Sequence, residues 1–319
     1  RPINVLVEGA REFGRGNLGH RVGIDTRDEM KRLATAFNTM ADSLQQQMRE
    51  IEEQTSLRER LESELAIAAE MQQSLLPEER PVIEDLEVVG WSHPAREVGG
   101  DFYDFIPLGP GRIGIAIGDG TGKGLPAALL TSECWSIFRT LVEDVESPAE
   151  VLFRTNNALY KRIGASGRFV TMFYMVVDAN KGVLRFAQGG HNPPVLLGSG
   201  SDRLLVLRSQ LGLPLGVEKD CMFEDKEVLL EPADTIVLYS DGVTEARGPE
   251  DRLYGDTRFQ KLLRTCTNGS LDELMAQVRS DVERHTKGLP ISDDITLVAV
   301  RWRALGCASS ESNETVAAV

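Results

Sequence analysis

The chain has 319 residues, 41% apolar and 26% charged, an ordinary soluble composition whose length exceeds a single comfortable core. Its 35 Lys and Arg against 49 Asp and Glu leave a net charge of −14, which argues against nucleic-acid binding and against adsorption to an anionic membrane surface. Four scattered cysteines (Cys134, Cys221, Cys266, Cys307) exclude a zinc ribbon and a disulfide framework and fit reduced thiols, and no apolar run is long enough to span a membrane.

The chain opens on Arg1 rather than Met, without a signal peptide, so we expect an upstream part beyond this sequence. Pro2-Ile3 should start a short helix through Leu6, Ala10 and Phe13. A Gly-rich connector follows at 14–22, and Asp28-Glu29-Met30 starts a second helix. From Met30, alternate steps of three and four residues reach Leu75, and ten of the fourteen positions visited are apolar. That is the 3.5-residue repeat of a coiled coil, about 70 Å long at 1.5 Å per residue. Its polar positions are Gln47, Gln54, Arg58 and Gln72. Three of them weaken the middle of the seam, which suits a helix pair that must change register or separate.

Two short helices around such a connector, with Leu18 and Val22 expected to point inward, resemble the HAMP signal-relay module. Pro2, Gly16, Leu18, Asp28-Glu29, Leu33 and Phe37-Asn38-x-Met40 carry the resemblance. It implies a homodimer through the HAMP module and coiled coil, below an upstream transmembrane sensor. The chain would then be the cytoplasmic portion of an inner-membrane receptor.

Beyond Pro77 the texture changes to strands and turns. Buried strands are expected at 112–117, 170–177, 183–187, 227–230, 235–239 and 295–300, and helices at 125–143, 148–163, 257–266 and 270–286. A hairpin across Asp178–Gly182 makes the sheets largely antiparallel, an α+β layered domain. The expected organisation is a HAMP module at 1–50, a linker helix at 51–76, a catalytic domain at 77–304 and a disordered tail at 305–319.

The chemistry lies in aspartates placed beside strand ends and turns. Asp101 closes Glu97-Val98-Gly99-Gly100-Asp101, and Asp119 opens Gly118-Asp119-Gly120-Thr121-Gly122-Lys123-Gly124. Asp241 follows Ile236-Val237-Leu238-Tyr239-Ser240 and precedes Gly242, and Asp293-Asp294 precedes the strand from Ile295. One Asp-Gly pair after a strand is usually only a turn. Several carboxylates converging at one mouth would repel one another unless a cation neutralised them. Oxygen donors without Cys or clustered His select a hard cation, Mg²⁺ or Mn²⁺.

With these motifs, residues 66–302 resemble the SpoIIE/RsbU-type branch of the metal-dependent Ser/Thr protein phosphatases, the PPM superfamily. Further matching segments are Glu70–Pro77, Gly189–Pro194, Leu211–Gly216 and Tyr239–Ala246. The resemblance implies a sandwich of two antiparallel β-sheets flanked by α-helices, with two Mn²⁺ or Mg²⁺ at one end. It implies that Asp119 bridges the metals and acts with Asp241 at the catalytic centre. The Gly120 carbonyl, Asp101, Asp241 and Asp293 complete the ligand set, with Asp294 as second choice to Asp293. Arg96 matches the spacing of a phosphate-gripping arginine, although pairing with Glu97 or Asp104 is an alternative. The reaction implied is phosphomonoester hydrolysis, on a phosphorylated STAS-type anti-sigma-factor antagonist in bacterial partner switching.

Two departures stand out. Thr121 follows the Asp-Gly pair where many relatives carry histidine, and Lys123 stands where the branch commonly has His. His191, in Gly-Gly-His-Asn-Pro-Pro, reads better as part of a structural turn. Among rival outputs, a histidine kinase lacks a histidine on the coil, and a chemoreceptor would need a far longer coil. A diguanylate cyclase would need a Glu that Gly99-Gly100-Asp101-Phe102 lacks. The remaining alternative is a catalytically weak pseudo-phosphatase serving as an interaction module.

Overall fold

The computed structural model describes residues 2–26, 28–199, 203–266 and 269–303. The tail expected at 305–319, with Cys307, lies outside them. The chain divides into two compact units, Arg1–Ile67 and Ala68–Val319.

In the first unit, α1 (Pro2–Gly14) and the long α2 (Glu29–Gln73) flank the connector, the end of α2 from Ala68 onward belonging to the second unit. Leu6, Val22 and Ala34 form a small core, supported by Ile24, Met30 and Phe37. Val22 is buried as expected, whereas Leu18 is only half-buried. The Asn38 side chain accepts from Val22 N–H (2.9 Å) and donates to Val22 C=O (3.1 Å), which satisfies the connector backbone without a strand partner. In α2 the only buried residues among those described are Ala34 and Ala41; Leu33, Met40, Leu44, Ile51 and Leu61 are exposed. The helix ends at Gln73, three residues before the expected Leu76. Among the described residues no helix is long and apolar enough to cross a membrane.

Among the described residues the second unit has ten strands. They are β1 (Leu86–His93), β2 (Asp101–Pro107), β3 (Arg112–Gly120), β4 (Val170–Asp178), β5 (Val183–Gly189), β6 (Val195–Leu197), β7 (Leu204–Val206), β8 (Lys226–Leu229), β9 (Thr235–Tyr239) and β10 (Ile295–Trp302). The helices are α3 (Leu125–Val142), α4 (Pro148–Ile163), α5 (Asp241–Thr244), α6 (Asp256–Thr265) and α7 (Leu271–Thr286). Two five-stranded sheets run β1-β10-β9-β6-β7 and β2-β3-β4-β5-β8, with antiparallel pairing throughout.

The alternation of side chains along each strand builds the layers. Ile236 and Leu238 of β9 meet Ile115, Ile117 and Phe173 of the other sheet in the central core. Val237 and Tyr239 point the other way, onto Phe259, Leu263, Leu274 and Val278 of α6 and α7. On the opposite outer face, Ala116, Met172 and Tyr174 pack on Phe138, Leu152 and Leu159 of α3 and α4. Strands covered on both faces read as continuous apolar runs, which made β3, β4, β9 and β10 visible in the sequence. Strands β1, β2, β6 and β7 were not among those expected. β2 begins with Asp101 and contains Asp104, polar residues that mask a buried strand. Asp104 is satisfied there by Trp135 Nε1 and Arg139 Nη1, each at 3.0 Å.

Candidate metal centre

Strand pairing brings the expected carboxylates to one end of the sandwich. β2 and β3 pair with Asp101 opposite Asp119. On the other sheet, Ser240 N donates to Thr296 O (3.0 Å), which brings the end of β9 beside the start of β10, and Asp241 and Asp294 flank that junction. Gly242 is required here: a Cβ would stand 2.0 Å from the Asp294 carbonyl.

Burial and mutual repulsion set the charge state of this cluster. Asp101 is held well above the usual carboxylate range, first by burial and then by Asp119, while the Ser240 and Thr296 hydroxyls act in the opposite direction. Its Oδ2 is buried and has no hydrogen-bond partner among the described residues. Asp119 is pushed up to about 8 by burial, then by Asp241, Asp293 and Asp294. Asp241 rises to about 6 through burial, then Asp293 and Glu245.

The Asp293-Asp294 pair divides its work. Asp293 is half-buried, and its Oδ2 lies 2.9 Å from Lys123 Nζ. Asp294 is buried and turned inward, accepting from the backbone N–H groups of Ala95 (2.6 Å), Gly100 and Asp101 (3.4 Å). It acts as a clamp on the segment that carries Asp101, a role the sequence reading did not foresee.

Gly120 ends β3, and its N–H donates to Gly100 C=O at 3.1 Å, which ties the two glycines of the mouth together. Arg96 is exposed beside Gly124, where a Cβ would lie 3.8 Å from Arg96 Cδ and Nη1. The alternative pairing with Asp104 is not made, because that carboxylate is taken by Arg139. The Thr121 hydroxyl donates to Phe169 C=O (3.2 Å) and accepts from Phe169 N–H (3.1 Å), so it braces the loop. His191 is 3% exposed, with Nδ1 2.8 Å from Thr171 Oγ1, and burial lowers its pKa to about 4. At neutral pH it is uncharged and shut away from solvent.

Among the described residues no three carboxylate, imidazole or thiol groups already converge on one point. The donor set nevertheless fits a hard divalent cation. It is made of oxygens, it contains an orphaned buried carboxylate atom at Asp101, and it holds carboxylates whose ionisation is suppressed only by burial and by one another.

Sequence comparison agrees with this geometry. The profile of the family described as stage II sporulation protein E (SpoIIE) matches residues 109–303, and that of the HAMP domain matches residues 1–46. The chain is 33% identical to phosphoserine phosphatase RsbU of Bacillus subtilis over 77% of its own length and 72% of that protein. It is 26% identical to protein IcfG of Synechocystis over 94% of its length, and spans about half (51%) of that relative. Among solved structures, the SiaA-PP2C domain of Pseudomonas aeruginosa superposes with a TM-score of 0.69 at 23% identity, over 77% of this chain and 98% of that domain, a likeness of fold. With the family profile covering most of the chain, the carboxylate-rimmed sandwich is that of a metal-dependent phosphatase: the chain belongs to the SpoIIE family of PP2C-type, RsbU-like phosphoserine phosphatases, here preceded by a HAMP domain.

Proposed function

We propose that the chain hydrolyses a phosphoserine or phosphothreonine on a small STAS-type regulatory protein, using two Mn²⁺ or Mg²⁺ held by Asp101, Asp119, the Gly120 carbonyl, Asp241 and Asp293. The observation that carries this reading is the pairing of Asp101 with Asp119 at the strand ends, where burial and the neighbouring carboxylates Asp241 and Asp293 drive Asp119 up, and burial and Asp293 drive Asp241 up. When bound, the cations supply Lewis-acid chemistry, which activates water and neutralises phosphoryl oxygen charge.

The protein's own groups do the rest. Asp119, with carboxylate neighbours from both sheets, would be a ligand at the heart of the cation site. Asp293 rather than Asp294 faces the site, because the Asp294 oxygens are occupied by backbone donors. To Arg96, exposed beside the Gly124 loop, we assign the holding of substrate phosphate. Thr121 is engaged with Phe169 and His191 is buried and neutral, so neither supplies the leaving-group proton.

The exposed apolar seam of α2 supports pairing of the helical unit with a second copy, as output of a membrane receptor. The deciding experiment is phosphate release from phosphorylated STAS-type proteins with and without Mn²⁺. Release only with the metal supports the reading. Release that is indifferent to chelation, or to Asp119→Asn, refutes it.

A further inference from the structure

The last turn of α2 touches the backbone beside Asp101 through one side chain. Gln72 Nε2 donates to Gly99 C=O at 2.6 Å, and Gly99 N–H donates to Gln72 Oε1 at 3.1 Å. A single primary amide thus satisfies both backbone groups of one residue, as a neighbouring strand would. From the other side, Asp294 accepts from the N–H groups of Gly100 and Asp101. Gly99 is squeezed between these two anchors: a Cβ there would stand 2.8 Å from Asp294 Oδ2. Two residues further on is Asp101, whose buried Oδ2 has no protein partner among the described residues.

We propose that Gln72 is a positioning residue for the metal centre: by holding Gly99 at both of its backbone groups, it places the Asp101 carboxylate for cation binding. The inference rests on Asp101 being a metal ligand. Asp101 is buried at the first position of β2, so its side chain cannot adjust without moving the 99–101 backbone. A carboxylate held by its backbone loses little freedom when it takes up a cation, and releasing that backbone restores the entropic cost.

Gln72 also occupies a seam position of the heptad repeat, yet its amide is turned onto Gly99. That explains a polar residue where the apolar pattern asks for Leu.

The test uses the full chain and reads Mn²⁺ binding by calorimetry and by EPR of free Mn²⁺, beside steady-state phosphate release. Gln72→Met keeps length and helix propensity but removes both hydrogen bonds. Gln72→Glu keeps the acceptor for Gly99 N–H but sets a carboxylate oxygen against the Gly99 carbonyl. Both should weaken Mn²⁺ binding about tenfold, with kcat at saturating metal changed less than about twofold, and Gln73→Met should match the parent. Weakened binding in both variants, with melting temperatures unchanged, supports the inference. Unchanged Mn²⁺ affinity in Gln72→Met overturns it, and so does a lowered melting temperature with unchanged affinity, which would make Gln72 a structural pin only. Asp101→Asn separates the two readings. If it binds Mn²⁺ as the parent does, Asp101 is not a ligand and both readings fail at that position. If Asp101→Asn loses binding while Gln72→Met retains it, only the clamp fails.

Discussion

The two units handle apolar surface in opposite ways. The sheet unit closes on itself: β9 is buried along its whole length, with Ile236 and Leu238 in the sandwich and Val237 and Tyr239 under α6 and α7. The helical unit does not. Its long helix buries two alanines and leaves Leu33, Met40, Leu44, Ile51 and Leu61 at 41–61% exposure. A sheet flanked by helices contains its own partner surface, whereas a heptad seam is half of an interface. One unit should therefore keep its fold regardless of concentration, and the other should depend on association.

The sharpest probe of the sheet unit is its acidic mouth. Asp119→Asn or Asp241→Asn should lower Mn²⁺-dependent turnover by at least about a thousandfold, while the metal-free protein keeps its fold. The sign of the stability effect follows from the raised Asp119 pKa. Its folded value of about 8 lies above the unfolded value near 4, so ionisation disfavours the fold increasingly from pH 4 to pH 8. Metal-free Asp119→Asn should thus melt higher than the parent at pH 8, by an amount on the order of 1–3 kcal/mol, and the gain should vanish toward pH 4. Loss of the fold, or turnover near the parent's, would remove the carboxylates from the mechanism.

The helical unit gives the next largest effect. Leu44→Glu with Ile51→Glu should shift the full chain toward monomer in sedimentation velocity, with the melting of the sheet unit unchanged. A stable dimeric coil in place of residues 1–55, fused in each of the seven heptad phases, should give turnover that peaks in one or two phases. Equal turnover in all seven would make the coil a tether.

A smaller effect concerns Lys123, whose ammonium lies on Asp293. Lys123→Met should tighten Mn²⁺ binding a few-fold in a calorimetric titration, because a competing positive charge leaves the mouth. Weaker binding would instead mark Lys123 as a support for Asp293.

The smallest is the acid limb of stability. Burial lowers His191 to about 4 from an ordinary 6.5, so the unfolded chain takes up a proton first and stability falls as pH drops from 6.5 toward 4. The difference in melting temperature between the parent and His191→Gln should therefore shrink between pH 7 and pH 4.5. A constant difference would show that His191 is not held neutral by the fold.

The sequence by itself determined the seam of α2, the antiparallel texture of the second unit, the doubly buried strands and the short list of aspartates. These are written locally, as a 3.5-residue period, as apolar runs between turns, and as Asp-Gly pairs at strand ends. Only the tertiary structure decided the division of labour within that list. Asp293 and Asp294 are adjacent and chemically identical; on the turn that enters β10 one side chain lies against Lys123 and the other accepts from three backbone donors. Strand β2 was hidden by its two aspartates: Asp104 finds its partners far along the chain, in Trp135 and Arg139 of α3, and Asp101 has a buried Oδ2 with no hydrogen-bond partner among the described residues. Gln72 reads as a flaw in a coiled coil, yet its amide lies against Gly99, 27 residues away along the chain. Periodicity reports which face of an element is apolar. What a polar side chain on that face touches depends on contacts that only the closed fold creates.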